Sequence, residues 1–190
     1  MDFLDILERK LLNDGQSLFP PGVELSGAAV MLMAALVFTN MAFWAPHGFA
    51  FAYYAILSVA AFFWFLTAYA ISAWFAARTN NLVVEGPLFR SSAPPLRRWA
   101  FYFAISVYIA KILLTTDARA ALFASPMLAM PALMASAACS AIIIMEMLRV
   151  AFHKRAWSDR WHLAAAIALT ALTFIIKSVA LMRMGGPSIF

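Results

Sequence analysis

Charge is what this chain has least of. Only 12% of its 190 residues are Asp, Glu, Lys or Arg, where a soluble domain carries roughly 25%. A compact chain with that little polar surface cannot be kept in water. Cysteine is nearly absent as well: the single Cys139 excludes intrachain disulfides and cysteine-based zinc sites. Lying inside an apolar run, it reads as a packed structural thiol, since a reactive one needs an electropositive, exposed setting. The seven glycines are scattered, so no phosphate-cradling loop can be assembled from them. HExxH, GxSxG and CxxC signatures are all missing. Three histidines, His47, His153 and His162, fall at the ends of apolar runs, whereas a transmembrane haem needs facing ligands at one depth. No catalytic residue, metal or cofactor is expected from this inventory.

Hydrophobic residues fill the space, making up 65% of the chain, and the mean hydropathy is +0.84. They are gathered into long runs, so the solvent that suits them is lipid. The sequence predicts an all-α, polytopic transmembrane helix bundle of five spans with a short amphipathic N-terminal helix. The spans fall at residues 23–45, 50–77, 99–115, 126–150 and 161–184, within a bundle covering 23–190. The second run is about 42 Å long at 1.5 Å per residue, longer than a ~30 Å hydrocarbon core, and is expected to tilt or project. Between spans two and three, Gly86-Pro87 and Pro94-Pro95 interrupt a polar connection running from Arg78 to Arg98. Thr116-Asp117 and Ser125-Pro126 read as helix starts, giving a short interfacial turn at 117–124 before span four. Pro131 is expected to kink the early turns of that span, and Gly185-Gly186-Pro187 to end span five.

The segment 1–22 stands apart. Phe3, Leu4, Ile6, Leu7, Leu11 and Leu12 recur at helical spacing, with Asp5, Glu8 and Arg9 on the other side. Helices that lie on membranes usually carry a basic polar face. The acidic face here points to docking on a protein, with an interfacial arm as the alternative. Four acidic residues among the first 14 also differ from the short basic start of a signal peptide, so the first apolar run is expected to be retained.

Basic residues give an orientation. With the N-terminus in the cytoplasm, the inner side holds Arg9, Lys10, Arg78, Arg90, Arg97, Arg98, Arg149, Lys154, Arg155 and Arg160. The outer side holds Arg119 and Arg183, and ten against two is a strong positive-inside bias. Trp99, Trp157 and Trp161 suit the inner aromatic belt, and Trp44, Tyr53 and Tyr54 the outer one. The expected location is a bacterial plasma (inner) membrane, N-terminus inside and C-terminus outside. Because the net charge of +5 is dispersed between apolar runs, no nucleic-acid partner is expected.

Inside the spans, ionisable residues cost roughly 2.5–3.5 kcal/mol each on insertion scales, so each needs a reason. There are three: Lys111, Glu146 and Lys177. Glu146 has Arg149 one turn away, and a same-helix pair accounts for it without any function. Lys111 lies about 18 Å along span three and Lys177 about 24 Å along span five, running the same way, with Glu146 ~20 Å distant. The two lysines are therefore expected either to meet one carboxylate or phosphate from outside the chain, or to snorkel separately to the outer headgroups. Ala132, Ser136 and Ser140, widened by Ala135 and Cys139, form a small-residue stripe suited to close helix packing within the bundle. Thr39, Asn40, Ser58 and Thr67 are expected to hydrogen-bond between helices.

These features favour a non-catalytic integral membrane subunit or scaffold of a larger membrane protein complex. The alternative is a small oligomeric transporter or channel, or a lipid-handling protein. A membrane-embedded enzyme acting on lipids comes third, with Glu146, His153 and Asp159 as its local acid or base candidates. The partners implied are the lipid bilayer and other membrane protein subunits, with an anionic lipid or ligand at the lysines.

Overall fold

The computed structural model describes residues 24–45, 50–78, 95–151 and 159–186. It is an all-α polytopic helix bundle, and there is no strand among the described residues. The helices are α1 (Glu24–Trp44), α2 (Ala50–Arg78), α3 (Pro95–Leu113), α4 (Thr116–Phe123), α5 (Pro126–Ala151) and α6 (Asp159–Arg183). The N-terminal segment 1–22, the basic connection 79–94 and the 152–158 link lie outside the described residues, so the docking helix is not addressed by the structure.

Four helices, α1, α2, α5 and α6, are long and apolar enough to cross a membrane. The fifth candidate is a bent pair: α3 from Trp99 to Leu113 turns by 107° into α4. Pro95 opens α3, earlier than the proline-rich sequence suggests. Proline is at ease in a first turn, where its missing N–H has no intrahelical partner anyway. The whole of α3 is about 28 Å long at the α-helical rise, close to the ~30 Å core, whereas its apolar part from Trp99 is shorter. The cap of α4 is Thr115, one residue before the expected Thr116: its side chain accepts from the Ala118 N–H at 3.3 Å. α5 continues through Pro131.

Small residues set the packing. On α1, Ala28, Ala35 and Ala42 recur every seven residues and are all buried, which makes one seam against α2. Ala35, Ala42, Leu57, Ala60, Ala61 and Trp64 share a cluster with Met130, Leu133, Met134, Ala137 and Ala138 of α5 and Phe174 of α6. A second cluster joins Phe65, Ala68, Tyr69 and Ala73 of α2 to Ala100 and Ala104 of α3, Cys139 and Ile142 of α5, and Ala166 of α6. α2 and α5 are the central helices, with 61% and 56% of their span residues buried against 22% for α1 and α6. On α6 a four-residue stripe, Ala166, Thr170, Phe174 and Ser178, is wholly buried.

Of the four polar residues expected to bond between helices, one does. Trp64 Nε1 donates to Thr39 Oγ1 at 2.9 Å, tying α2 to α1, while the Thr39 hydroxyl itself donates to the Ala35 carbonyl at 2.6 Å. Ser58 and Thr67 instead donate to the carbonyls of Tyr54 and Phe63, four residues back on their own helix, at 2.8 Å each. Asn40 accepts from Trp44 Nε1 at 3.1 Å, also within its own helix. A short hydroxyl side chain finds the carbonyl of the preceding turn within reach, and that local bond competes with any interhelical one.

A Schellman motif closes α6. Gly185 takes the left-handed conformation at φ 79°, its N–H donates to the Met182 carbonyl at 3.1 Å, and the Gly186 N–H to the Leu181 carbonyl at 3.0 Å.

Candidate functional site

Three helices converge on one polar point. α6 brings Lys177, α5 brings Ser136 and Ser140, and α3 brings Tyr108. Lys177 lies about 9 Å before the end of α6 by the helical rise. Helical side chains lean toward the N-terminus of their own helix. The stem of Lys177 accordingly runs inward along the bundle, and its ammonium ends between α3 and α5.

The ammonium has four oxygens within reach. Nζ donates to Tyr108 Oη at 2.7 Å, Ser140 Oγ at 2.7 Å, Ser136 Oγ at 2.8 Å and the Ser136 carbonyl at 2.9 Å. Three N–H groups facing four acceptors leave Lys177 no donor to spare. The hydroxyl protons can be assigned by the same count. Ser140 Oγ donates to the Ser136 carbonyl at 3.0 Å. Tyr108, already accepting from Lys177, then donates its own proton to Ser140 Oγ, with which it is in direct hydrogen bond. The Lys177, Tyr108 and Ser140 donors are thereby all engaged, and a buried polar cluster whose donors are met holds helices together instead of weakening them.

The cluster lies well inside the length of α5. Ser136 and Ser140 lie about 15 and 21 Å from the start of α5, a helix about 39 Å long, and so fall near its middle. Lys177 is turned into the bundle at that level.

Lys111 is placed differently. It is half-buried, in the last turn of α3, one turn after Tyr108. Its Nζ lies 5.8 Å from the centre of the Tyr108 ring, and that of Lys177 lies 5.1 Å away, the latter reaching the ring by way of its hydroxyl. Both lysines thus approach the same tyrosine. Among the described residues neither has a carboxylate partner, and Lys111 donates no hydrogen bond. Two positive charges near one side chain repel each other in a medium of low dielectric.

The other expected residues are distributed as follows. Glu146 is buried at 4% exposure on α5, about 9 Å along the helix from Ser140. The Arg149 side chain expected beside it lies outside the described residues. Ala132 is half-buried and Ser136 and Ser140 are buried, so the stripe faces the bundle. Its two serines serve as acceptors for a lysine as well as small packing residues. Cys139 is buried in the second cluster. His47 and His153 and the side chain of Asp159 fall outside the described residues, and His162 is half-buried. Among the described residues, no group of three or more His, Cys, Asp or Glu side chains could hold a metal ion.

Tyr108 is the participant that the sequence did not single out. Its signal was present: a tyrosine in the later half of a span, three residues before an intramembrane lysine, is a hydroxyl that needs a partner wherever it is buried. Tyr53, by contrast, suits an interfacial belt by sequence but is buried at 9% exposure in the first cluster.

No protein-family model, curated protein or solved structure matches this chain.

Proposed function

We propose that this integral membrane protein is a non-catalytic subunit or scaffold of a larger membrane protein complex. In this reading it crosses a bacterial inner membrane five times, with the N-terminus in the cytoplasm and the C-terminus outside. The observation that carries the reading is the closed state of the Lys177 cluster. An ammonium brought inside the bundle spends all its donors on three other side chains and a carbonyl of the same chain. Its role is cohesion of α3, α5 and α6. A pathway for a solute would instead keep such a donor available to the passing ligand. The five-span count takes the bent pair, α3 from Trp99 to Leu113 turning by 107° into α4, as one broken span beside the four long apolar helices. The ten-to-two distribution of basic residues supports the orientation.

A second reading, a lipid-handling protein, is favoured by one observation: Lys111 retains its donors at the end of α3.

Gentle detergent extraction of the tagged protein, followed by identification of co-purifying chains, separates the two. A stoichiometric companion protein is expected for a subunit. A homogeneous oligomer of this chain alone, carrying lipid, would overturn the subunit reading in favour of the second.

A further inference from the structure

We propose that the elbow between α3 and α4 binds the phosphate of an anionic membrane lipid, held by Lys111 and Arg119. The inference depends on the membrane placement of the bundle and not on its being a subunit.

The elbow concentrates cationic donors. Arg119 Nη2 donates to the carbonyl of Ile112 at 2.7 Å, reaching back across seven residues. That carbonyl belongs to the final turn of α3, where the last four C=O groups have no intrahelical partner. The contact fixes the corner and holds a guanidinium at the last turn of α3, the turn that also carries Lys111. Of the five donors of Arg119, this bond uses one. Lys111 contributes three more, none of them spent on an oxygen among the described residues. Lys177 next to it on Tyr108 adds positive potential but no free donor. Asp117, the acidic residue of α4, lies two positions from Arg119, so the two side chains do not share a face of the helix.

The surroundings suit a lipid better than a free anion. Beside Lys111 the outer surface of α3 is apolar: Ile109 is 52% exposed, Ile112 70% and Leu113 75%. Acyl chains would lie along that surface. α4 buries no residue of its own and turns across the end of α3 at 107°, as a helix does where the bundle meets the headgroup region. A phosphodiester there brings two acceptor oxygens that share one negative charge to an Arg and a Lys, a pairing whose hydrogen bonds are roughly twice as strong as neutral ones.

The test uses the full-length purified protein, the native chain beside Lys111→Met, Arg119→Gln and Arg183→Gln. Native mass spectra are recorded after addition of phosphatidylglycerol or phosphatidylcholine, and thermal stability is measured with each lipid and with inorganic phosphate. Retention of phosphatidylglycerol over phosphatidylcholine is expected, weakened about tenfold by either elbow substitution, a factor corresponding to loss of one charge-assisted contact. Arg183→Gln, at the end of α6, is expected to retain lipid like the native chain. Equal retention of both lipids, or unchanged phosphatidylglycerol retention in Arg119→Gln, would overturn the proposal. So would an equal loss in Arg183→Gln, which would indicate diffuse surface charge. If inorganic phosphate stabilises as strongly as the lipid and displaces it, the ligand is a free anion and the lipid assignment fails. Arg119 lies on an exposed helix, so its variant keeps the test valid should Lys111→Met fail to fold.

Discussion

Lys177 on α6 donates to the phenolic oxygen of Tyr108 on α3 at 2.7 Å, joining positions 69 residues apart through the middle of the bundle. The bond matters because of what surrounds it. Tyr108 donates a hydrogen bond to Ser140, and Ser140 donates one to the Ser136 carbonyl, so a charge brought in by one helix faces the dipoles of two others. The helix ends that would show this convergence are far apart in sequence, and only their packing brings the three together.

Tyr108→Phe is expected to lower stability by about 1 kcal/mol, the scale of interhelical hydrogen bonds in membranes. Lys177→Met is expected to cost more, because three oxygen-bearing side chains lose a partner at once. Combined, the two changes are expected to be clearly less than additive, since each removes the same bond. Reversible unfolding in mixed detergent micelles measures all three. Additive losses would mean that the bond contributes nothing to the fold.

Thr39 and Ser58 offer a cleaner comparison, because the two hydroxyls were indistinguishable in sequence and differ in partner. Thr39 accepts from Trp64 of the neighbouring helix, and Ser58 bonds only to its own helix at an exposed position. Thr39→Val is expected to cost about 1 kcal/mol by orphaning the indole N–H, and Ser58→Ala close to nothing. Equal effects in the same unfolding assay would contradict the assignment.

Much of the architecture was readable because apolar run length is a direct consequence of bilayer thickness. The runs at 23–45, 50–77, 126–150 and 161–184 meet helices Glu24–Trp44, Ala50–Arg78, Pro126–Ala151 and Asp159–Arg183 within a residue or two. Span three was harder to bound, since Pro95 can open a helix as well as forbid one. The polar site was half legible. Insertion cost alone singled out Lys111 and Lys177, but their surroundings depend on how far each side chain leans along its helix and on which helix it meets. Periodicity carries neither. A lysine 24 Å along its span reads as near the outer surface, yet its stem returns the charge to the middle of α5.

The five-span topology predicts that reporters placed within 78–98 and after Phe190 report opposite compartments. In that topology a third reporter between Phe123 and Pro126 is expected to agree with the C-terminal one, because α4 would follow the crossing assigned to α3. If the reporters at 78–98 and after Phe190 agree, α3 and α4 form a re-entrant hairpin, and the span count falls to four.

Cohesion and ligand binding make opposite predictions for a full replacement of the cluster. Removing one partner of a buried polar network leaves the others unsatisfied, whereas replacing all of them by apolar groups of similar size is often neutral or stabilising. Lys177→Met, Tyr108→Phe, Ser136→Ala and Ser140→Ala together leave no polar side chain at this point of α3, α5 and α6 to orphan. Methionine keeps the length of the lysine stem, and alanine keeps the close approach that the serines allow. The fourfold variant is therefore expected to be more stable than Lys177→Met alone and within about 2 kcal/mol of the native protein. Its phosphatidylglycerol retention should remain near native, since Lys111 and Arg119 are untouched. Recovery of stability together with recovery of any companion chain would identify the cluster as a packing device. Recovery of stability with loss of the companion would show that Lys177 serves the assembly directly. A fourfold variant no more stable than Lys177→Met would show that the cohesion of these helices comes from elsewhere in the bundle.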